Sequence, residues 1–304
     1  MERADGLRIA NRLMDSNRRY KFELSFVILL VCATVVSFVW ARPDSAADGL
    51  LHVYFLDVGQ GDAMLVQTPN GNQMLIDGGP DTKILARLGG ILPLKDRDLD
   101  VIVATHTDAD HLSGLVDVLK RYTVDHIVET GMKCATAICG QWEELAGRQQ
   151  SSRVFARAGY TVSLDDEVQL QVLNPLEDIS GQVVKKTNNA GIVLKLTYRN
   201  QTMLFAADIE KSVEDALLRR TDVDVDFLKI AHHGSKTSST QNFLAATTPN
   251  VAFIEVGAKN RYGHPTPEVL DRLDKNGILY YRTDKDGTTE LILDGTNYSV
   301  ATYQ

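Results

Sequence analysis

Four side chains that can bind a metal ion stand close together near the middle of the chain. They are His106, Asp108, Asp110 and His111, in the pattern H-x-D-x-D-H. Imidazole nitrogens and carboxylate oxygens are the usual ligands of divalent cations such as Zn²⁺ and Mn²⁺. A polar loop without a metal rarely gathers so many ligand types in so short a stretch. The pattern therefore predicts a divalent metal site.

The predicted secondary structure places these ligands where a strand gives way to a helix. An apolar run at 101–104 predicts a buried strand, and the helical spacing of apolar residues over 112–122 predicts the helix. Other ligand-type residues also lie at the ends of predicted strands. Asp77 ends the strand 73–77, Asp208 ends the strand 202–208, and His232 with His233 follows the strand 225–231. Because open α/β sheets bind ligands at the carboxyl ends of their strands, we expect these side chains to meet at one edge. Asp77 is expected to orient a ligating histidine from behind.

The remaining pattern predicts an α/β protein in which strand hairpins alternate with helices in two successive halves. Residues 63–67 and 73–77 predict a hairpin around the turn 69–72, and residues 278–282 and 289–293 predict a second one near the end of the chain. Helices are predicted at 82–92, 209–220 and 267–275. This alternation fits a sheet-on-sheet core with helices outside.

The beginning of the chain predicts a membrane anchor. Residues 24–41 contain no charged residue, and a bilayer-spanning helix needs roughly 20 apolar residues. Six basic residues precede this segment, whereas Arg42 alone follows it at once, so residues 1–23 are expected in the cytoplasm and the rest outside. The alternatives are a cleaved signal peptide, for which the 23-residue polar leader is long, and a buried helix. We expect a single-pass protein of the cell membrane with residues 49–304 as an extracytoplasmic domain.

Charge and cysteine content add two expectations. The chain of 304 residues has a net charge of −8, so an anionic substrate must be attracted by metal ions and a local basic patch. A basic groove is one candidate for that patch, built from Lys185, Lys186, Lys229, Lys236 and Arg261. Cys134 and Cys139 form a C-x4-C pair, and outside the cytoplasm a disulfide is favoured over free thiols.

Several motifs, in order, resemble the metallo-β-lactamase superfamily, and within it the C-terminal hydrolase domain of ComEC competence proteins. The motifs are D-V-G-Q-G-D at 57–62, H-x-D-x-D-H at 106–111, N-N at 188–189, A-D at 207–208, H-H-G-S at 232–235 and G-H-P at 263–265. The resemblance covers residues 50–293. It implies an αββα sandwich with a metal site at one edge, here preceded by one N-terminal transmembrane helix.

The chain departs from the superfamily pattern at three positions. Asp108 stands where the second histidine of the loop is usual, Asn188 or Asn189 replaces a histidine, and Ala207 replaces a glycine. The ComEC-like subgroup shares the Asp and Asn changes, and an oxygen-rich first site tilts metal preference from Zn²⁺ towards Mn²⁺ or Mg²⁺. ComEC proteins also have a multi-helix channel, so a separate channel protein is an expected partner of this single-anchor chain.

The resemblance implies two divalent ions, Mn or Zn with Mg as an option. One ion would be held by His106, Asp108 and Asn189, the other by Asp110, His111 and His232, with Asp208 bridging both. Asp110, His264 and His233 are the catalytic candidates, and Ser235, Lys236 and Ser238 would cradle the substrate phosphate. Alternatives stay open for several of these residues. Asn188 could be the ligand in place of Asn189, and His233 could be the ligand or a cap. His264 could be a turn residue, and Ser238 could be a helix N-cap.

The resulting hypothesis is a membrane-anchored, metal-dependent phosphodiesterase or nuclease that acts on single-stranded DNA outside the cytoplasm. Paired metal ions suit that reaction because they activate water and neutralise charge on a phosphodiester. The fold hosts many chemistries, so a hydrolase of a lactone, thioester or phosphocholine ester is an alternative. A non-catalytic binding protein with a degenerate metal site is the other.

Overall fold

The computed structural model describes residues 48–304. The expected leader, 1–23, and the expected transmembrane anchor, 24–41, lie outside the described residues. Across 48–304, every helix is too short or too polar to cross a membrane.

Eight strands form the first sheet. They are β1 (Leu51–Phe55), β2 (Met64–Gln67), β3 (Gln73–Ile76), β4 (Asp98–Ala104), β5 (Thr123–Glu129), β6 (Ser152–Phe155), β14 (Thr288–Leu293) and β15 (Tyr298–Tyr303). Their order across the sheet is β15-β14-β1-β2-β3-β4-β5-β6. The pairs from β15 to β3 are antiparallel, whereas β3, β4, β5 and β6 run parallel.

Seven strands form the second sheet. They are β7 (Thr161–Ser163), β8 (Val168–Asn174), β9 (Val193–Tyr198), β10 (Gln201–Phe205), β11 (Phe227–Lys229), β12 (Val251–Ile254) and β13 (Leu279–Arg282), in the order β13-β12-β11-β10-β9-β8-β7. Strands β10 to β13 run parallel, and β7 to β10 are antiparallel neighbours. Each sheet therefore has a run of parallel strands whose carboxyl ends form one edge.

Three apolar clusters define four layers. The central cluster joins the facing sides of the two sheets, with Phe55 of the first sheet stacked on Phe253 of the second at 4.0 Å between ring centroids. The second cluster joins the first sheet to helices α1 (Lys83–Ile91), α2 (Ala109–Leu119) and α3 (Ala137–Arg148). The third joins the second sheet to α4 (Lys211–Leu218), α5 (Gln241–Thr247) and α6 (Pro267–Lys275). The predicted αββα sandwich is thus confirmed for the described residues.

Two local predictions are confirmed. The hairpin of β2 and β3 forms, with Met64 opposite Ile76. Cys134 and Cys139 are joined in a disulfide. The disulfide closes the short loop that leads into α3, and Thr136 caps that helix by accepting a hydrogen bond from the backbone N–H of Cys139 at 3.3 Å.

The predicted terminal hairpin is wrong. Strand β13 pairs with β12 in the second sheet, whereas β14 pairs with β1 in the first. Between them, the helical turn α7 (Thr283–Asp286) and Gly287, with φ of 73°, carry the chain from one sheet to the other. The partner of β14 along the chain is β15, which the sequence pattern did not reveal. Apolar residues alternate in the same way in the two strands of a hairpin and in two strands of different sheets. The sequence pattern therefore could not distinguish these two arrangements.

Candidate metal centre

The ligand-type residues gather where the parallel strands of both sheets end. Asp77 follows β3, the H-x-D-x-D-H loop follows β4, Asp208 follows β10 by three residues, and His232 with His233 follows β11. Helix α2 begins at Ala109 instead of the predicted 112, so Asp110 and His111 lie on its first turn. That position suits a carboxylate, because helix N-termini carry a partial positive charge.

His111 lies at the middle of the centre and is fully buried. Its Nδ1 is 2.8 Å from Asp77 Oδ2, and its Nε2 is 3.3 Å from Asp208 Oδ2. Asp77 is itself held by Thr105, whose backbone N–H and hydroxyl donate to its two oxygens at 2.8 Å and 2.6 Å. Asp77 therefore orients the His111 ring from behind, leaving Nε2 to face Asp208.

His233 meets the same carboxylates from the second sheet. Its Nε2 lies 3.4 Å from Asp110 Oδ2 and 3.4 Å from Asp208 Oδ2. The possible ligand atoms of Asp110, His111 and His233 all lie within 4.8 Å of one another, and so do those of Asp62, His111 and Asp208. Each of these groups of three side chains is therefore close enough together to hold one cation.

The sequence predicted ligation for His232 and a catalytic role for His233, whereas the structure places His233 among the possible ligands of a cation. His233 is buried among Asp110, His111 and Asp208. His232 is 23% exposed, with its Nε2 3.9 Å from Asp208 Oδ2. The two rings diverge because both residues have left-handed backbones, with φ of 52° and 53°. Sequence alone does not show which of two adjacent histidines a sharp turn directs inwards.

His106 supplies the third buried imidazole. Its Nδ1 lies 2.9 Å from the hydroxyl of Thr105, and its Nε2 lies 4.0 Å from Asp108 Oδ2. Its ring centroid is 4.0 Å from that of His111. His106 and Asp108 thus stand near each other beside His111, and their role in holding a first metal stays a prediction.

Asn189, selected as a ligand of the first metal, is engaged elsewhere. Its side-chain oxygen accepts a hydrogen bond from the backbone N–H of Glu210 at 2.9 Å, and its amide nitrogen donates to Glu210 Oε2 at 3.1 Å. The neighbouring Asn188 instead places its amide 3.2 Å from His232 Nε2. Asn188 therefore contacts the histidine pair, whereas Asn189 is bound to Glu210.

The predicted phosphate cradle is reduced to one side chain. Ser235 is buried and its hydroxyl pairs with that of Thr237 at 3.0 Å. Ser238 is fully buried, and the Arg272 guanidinium donates to its backbone carbonyl at 3.0 Å. Lys236 is exposed and remains available to an anionic substrate. His264 is half-buried, with its ring centroid 5.8 Å from that of His232.

A buried ion pair lies behind the metal centre, formed by Asp62, which had no predicted role, and Lys229, which was predicted in the basic groove. Both side chains are fully buried. Lys229 is therefore not part of a solvent-facing basic groove. Asp62 also lies close to His233, with 3.1 Å between Asp62 Oδ1 and His233 Nδ1. The available signal was a lysine inside the apolar run 227–231, because a charge in a buried strand needs a partner.

The electrostatics of the centre follow from burial among opposite charges. Burial alone would raise the pKa of Asp208, but His233 and His111 hold it well below its usual value. Burial raises the pKa of Glu255 well above its usual value, and the nearby Asp62 raises it further. Its Oε1 accepts a hydrogen bond from Ala63 N at 2.9 Å.

The donor set fits divalent metal ions. Four buried atoms of the centre have no hydrogen-bond partner among the described residues: Nε2 of His106, Nε2 of His111, Nε2 of His233 and Oδ1 of Asp208. Leaving such an atom unpaired costs about 1–3 kcal/mol, and native proteins seldom do so without a reason. Three imidazoles and several carboxylates together are the chemistry of a Zn²⁺ or Mn²⁺ site.

Backbone strain also concentrates here. Four non-glycine residues of the centre have left-handed backbones, namely Asp77, Ala207, His232 and His233, with φ between 46° and 58°. Each such residue costs on the order of 1–2 kcal/mol. Strain of this kind persists where the surrounding packing fixes a functional geometry.

Comparison with known proteins identifies the family. Residues 56–257 match the metallo-beta-lactamase superfamily, and the chain belongs to it. It is 28% identical over 278 residues to ComE operon protein 3 of Bacillus subtilis (strain 168), covering 86% of this chain and 35% of that protein. It is 29% identical over 262 residues to competence protein ComA of Neisseria gonorrhoeae, covering 84% of this chain and 34% of that protein. The predicted resemblance to ComEC-type proteins is confirmed.

Two further matches concern the length of the relatives and the fold. Recombination protein 2 of Haemophilus influenzae is 28% identical over 275 residues, with 88% of this chain and 32% of that protein covered. This chain thus spans about a third of the length of these relatives. The fold is also similar to CmlA, a diiron beta-hydroxylase from Streptomyces venezuelae, with a TM-score of 0.51 and 13% identity over 83% of this chain and 54% of CmlA. At that identity, the likeness concerns the fold alone.

Proposed function

We propose that this protein is a membrane-anchored, two-metal phosphodiesterase that cuts single-stranded DNA outside the cytoplasm. The observation that carries the proposal is the set of buried, unpaired imidazole nitrogens of His106, His111 and His233, gathered around Asp208. Two relatives, one named a competence protein and one a recombination protein, support the choice of DNA as the substrate. In this proposal, residues 24–41 anchor the chain and a separate channel protein is its partner.

His106, Asp108 and Asn188 would hold one ion, Asp110, His111 and His233 the other, and Asp208 would lie between them. Such ions, Mn²⁺ or Zn²⁺ with Mg²⁺ as an option, supply an activated water and positive charge opposite a phosphodiester. The protein's part is to keep the ligands rigid: Asp77 fixes His111, while Asp62 and the backbone carbonyl of Glu255 fix the Nδ1 side of His233.

Asp110 is our candidate for the proton acceptor. Its side chain is 33% exposed, whereas those of Asp62, Asp77 and Asp208 are buried. Burial raises the pKa of Asp110, but the neighbouring His233 and His111 outweigh burial and hold the pKa below its usual value. Asp110 is therefore ionised at neutral pH and is able to orient a water or accept its proton.

His264 and Lys236 would contact the substrate. His264 Nδ1 is buried and has no hydrogen-bond partner among the described residues, and its ring borders His232. Lys236 is exposed and lies on the loop that follows the histidine pair. An imidazole N–H and an ammonium beside the carboxylates would hold phosphate oxygens and steady the leaving oxygen.

Metal analysis coupled to a nuclease assay tests the proposal. The purified 304-residue chain should bind about two equivalents of Mn²⁺ and cut single-stranded DNA in its presence. Asp110→Ala should lower the rate by about 100-fold or more, since general acid–base groups contribute on that scale. Asp117→Ala is the matched control, because Asp117 lies on the same helix and pairs with the surface residue Lys120.

The other possible results of these assays would each reject the mechanism or indicate a different function. An Asp110→Ala protein with full activity would refute the mechanism. Hydrolysis of chromogenic lactones, thioesters or phosphocholine esters without DNA cleavage would identify a hydrolase of another bond. Less than one equivalent of metal and no activity on any of these substrates would indicate a binding protein.

A further inference from the structure

The loop after β12 presents an aromatic side chain to solvent beside the metal centre. Tyr262 is 56% exposed. Its ring stacks on that of His264 with 5.9 Å between centroids and 18° between planes, and His264 in turn lies 5.8 Å from His232. The guanidinium of Arg261 lies 5.4 Å from the Tyr262 ring centroid. We call Arg261, Tyr262 and His264 the ring row, since together they lead from the centre towards solvent.

The ring row is held rigidly by one side chain. Asn260 Oδ1 accepts hydrogen bonds from the backbone N–H groups of Tyr262 and His264, at 3.2 Å and 3.0 Å. Asn260 Nδ2 donates to the carbonyls of Gly257 and His264, at 2.9 Å and 2.8 Å. An exposed ring on a backbone that is already fixed loses less entropy on binding than one on a free loop, which favours association with a flat partner.

The charge around the ring row differs from that of the whole molecule. Residues 256–266 include Lys259 and Arg261 but no acidic residue, in a chain with a net charge of −8. The loop that holds Lys236 is joined to the loop that holds the ring row, because Thr266 N donates a hydrogen bond to the carbonyl of Gly234 at 2.9 Å. Lys236, Lys259 and Arg261 are all exposed. The surface thus combines a π-face with cations next to the candidate catalytic residues.

We propose that the ring row binds single-stranded nucleic acid, with one base stacked on Tyr262 and the adjoining phosphates contacted by Arg261 and Lys259. This inference rests on the proposed function and adds to it the means by which the strand is held. Aromatic rings with neighbouring cations are the common way to bind single strands without sequence preference, because every base has a π-face. Paired bases within a duplex do not expose that face, so the site selects single strands.

The test measures binding of the full chain to a fluorescent 12-mer of deoxythymidylate by anisotropy, in EDTA so that no strand is cut. Tyr262→Ala should weaken binding roughly 5- to 150-fold, the span expected for one stacked base. Tyr262→Trp should bind within about threefold of the wild type, because it keeps a stacking surface. An abasic strand of the same length should bind the wild type and Tyr262→Ala equally.

A second pair on the surface provides the matched control. Tyr160 is 38% exposed and lies under the Arg157 guanidinium at 5.0 Å, in the connection between β6 and β7. Tyr160→Ala should leave affinity for the strand unchanged. Arg261→Gln should reduce the salt dependence of binding by about one phosphate contact.

The proposal is overturned if the wild type does not bind the 12-mer, if Tyr262→Ala binds it as the wild type does, or if the abasic strand shows the same loss. These readouts require no turnover. A chain that binds strands through Tyr262 but never cleaves them would refute the proposed function and would still support binding of single strands by the ring row. A chain that cleaves DNA without any effect of Tyr262→Ala would do the opposite.

Discussion

Two clusters of histidines and carboxylates lie at different places in this molecule, and their hydrogen bonding differs. In the His52 cluster, built from Asp48, His52, Glu290 and Tyr303, both ring nitrogens and the Glu290 carboxylate are paired. His52 Nδ1 is 2.7 Å from Glu290 Oε1, its Nε2 is 3.0 Å from Asp48 Oδ2, and Tyr303 donates to Glu290 Oε2. In the metal centre, the Nε2 atoms of His106, His111 and His233 have no hydrogen-bond partner among the described residues.

This difference separates a structural network from a ligand site. A closed network satisfies its own polar atoms and needs nothing further, whereas an open one remains costly until a ligand binds. Backbone geometry agrees with this reading. Four residues of the metal centre have positive φ, while Asp48, His52, Glu290 and Tyr303 do not. Residue types alone would have made both clusters metal-site candidates.

The largest expected effect on stability comes from the buried cation of the metal centre. Lys229→Met removes the ion-pair partner of Asp62 and leaves the buried carboxylate with only the histidines of the centre to balance its charge. We expect a loss of about 3–5 kcal/mol in the free energy of unfolding, measured by urea denaturation in EDTA. Lys120→Met, which breaks an exposed pair with Asp117, should cost less than about 1 kcal/mol. Equal losses in the two variants would show that Lys229 is not an essential counter-ion.

The second prediction separates the clusters by metal affinity. Asp77→Asn weakens the support of His111, and such changes typically lower metal affinity about 10- to 100-fold. Glu290→Gln, the equivalent change behind His52, should leave Mn²⁺ affinity unaltered. Competition with a chromogenic chelator measures both. If Glu290→Gln also lowered the affinity, the His52 cluster would be coupled to metal binding and the contrast would fail.

What the sequence could predict was local. The β2–β3 hairpin, the helix at 267–275 and the four ligands of residues 106–111 follow from periodicity, turn residues and spacing. Asp77 and Asp208 could be selected because each ends an apolar strand. These features need only neighbouring residues to specify them.

What the sequence could not predict depends on distant contacts or on single dihedral angles. Asp62 and Lys229 are 167 residues apart, and their pairing follows from how the two sheets meet. The choice between His232 and His233, and between Asn188 and Asn189, depends on which neighbour a turn directs inwards. The placement of β13 and β14 in different sheets depends on pairings that periodicity does not encode.

The third prediction concerns pH and the closed cluster. The hydrogen bond with Glu290 raises the pKa of His52 above its usual 6.5 despite burial, with Asp48 adding to it. Burial would raise the pKa of Glu290, but the hydrogen bonds with His52 and Tyr303 lower it below its usual 4.5. The contribution of the charged His52 to the free energy of unfolding is therefore complete below pH 6.5. It is lost as pH rises through the folded-state pKa of His52. The contribution of the ionised Glu290 to the free energy of unfolding is complete above pH 4.5. It is lost as pH falls through the folded-state pKa of Glu290.

His52→Gln should accordingly cost most between pH 4.5 and 6.5, by about 1 kcal/mol, and less on either side. Denaturation of the wild type and the variant at several pH values, with EDTA present, measures the difference. A cost that is constant from acid to alkaline pH would show that the cluster contributes through shape and not through charge.

The smallest expected effect tests whether the strain of the metal centre is real. Ala207 has φ of 46°, a conformation that costs alanine on the order of 1 kcal/mol and glycine almost nothing. Ala207→Gly should therefore raise the free energy of unfolding in EDTA by up to about 0.5 kcal/mol, because the freedom that glycine gains in the unfolded chain offsets part of the relieved strain. The adjacent Ala206 is equally buried but has an ordinary backbone, so Ala206→Gly should lower stability by at least about 0.5–1 kcal/mol. Opposite signs at two neighbouring alanines would locate the strain at Ala207 itself, and a loss in both would show that the surrounding packing, more than this dihedral, sets the energy of the centre.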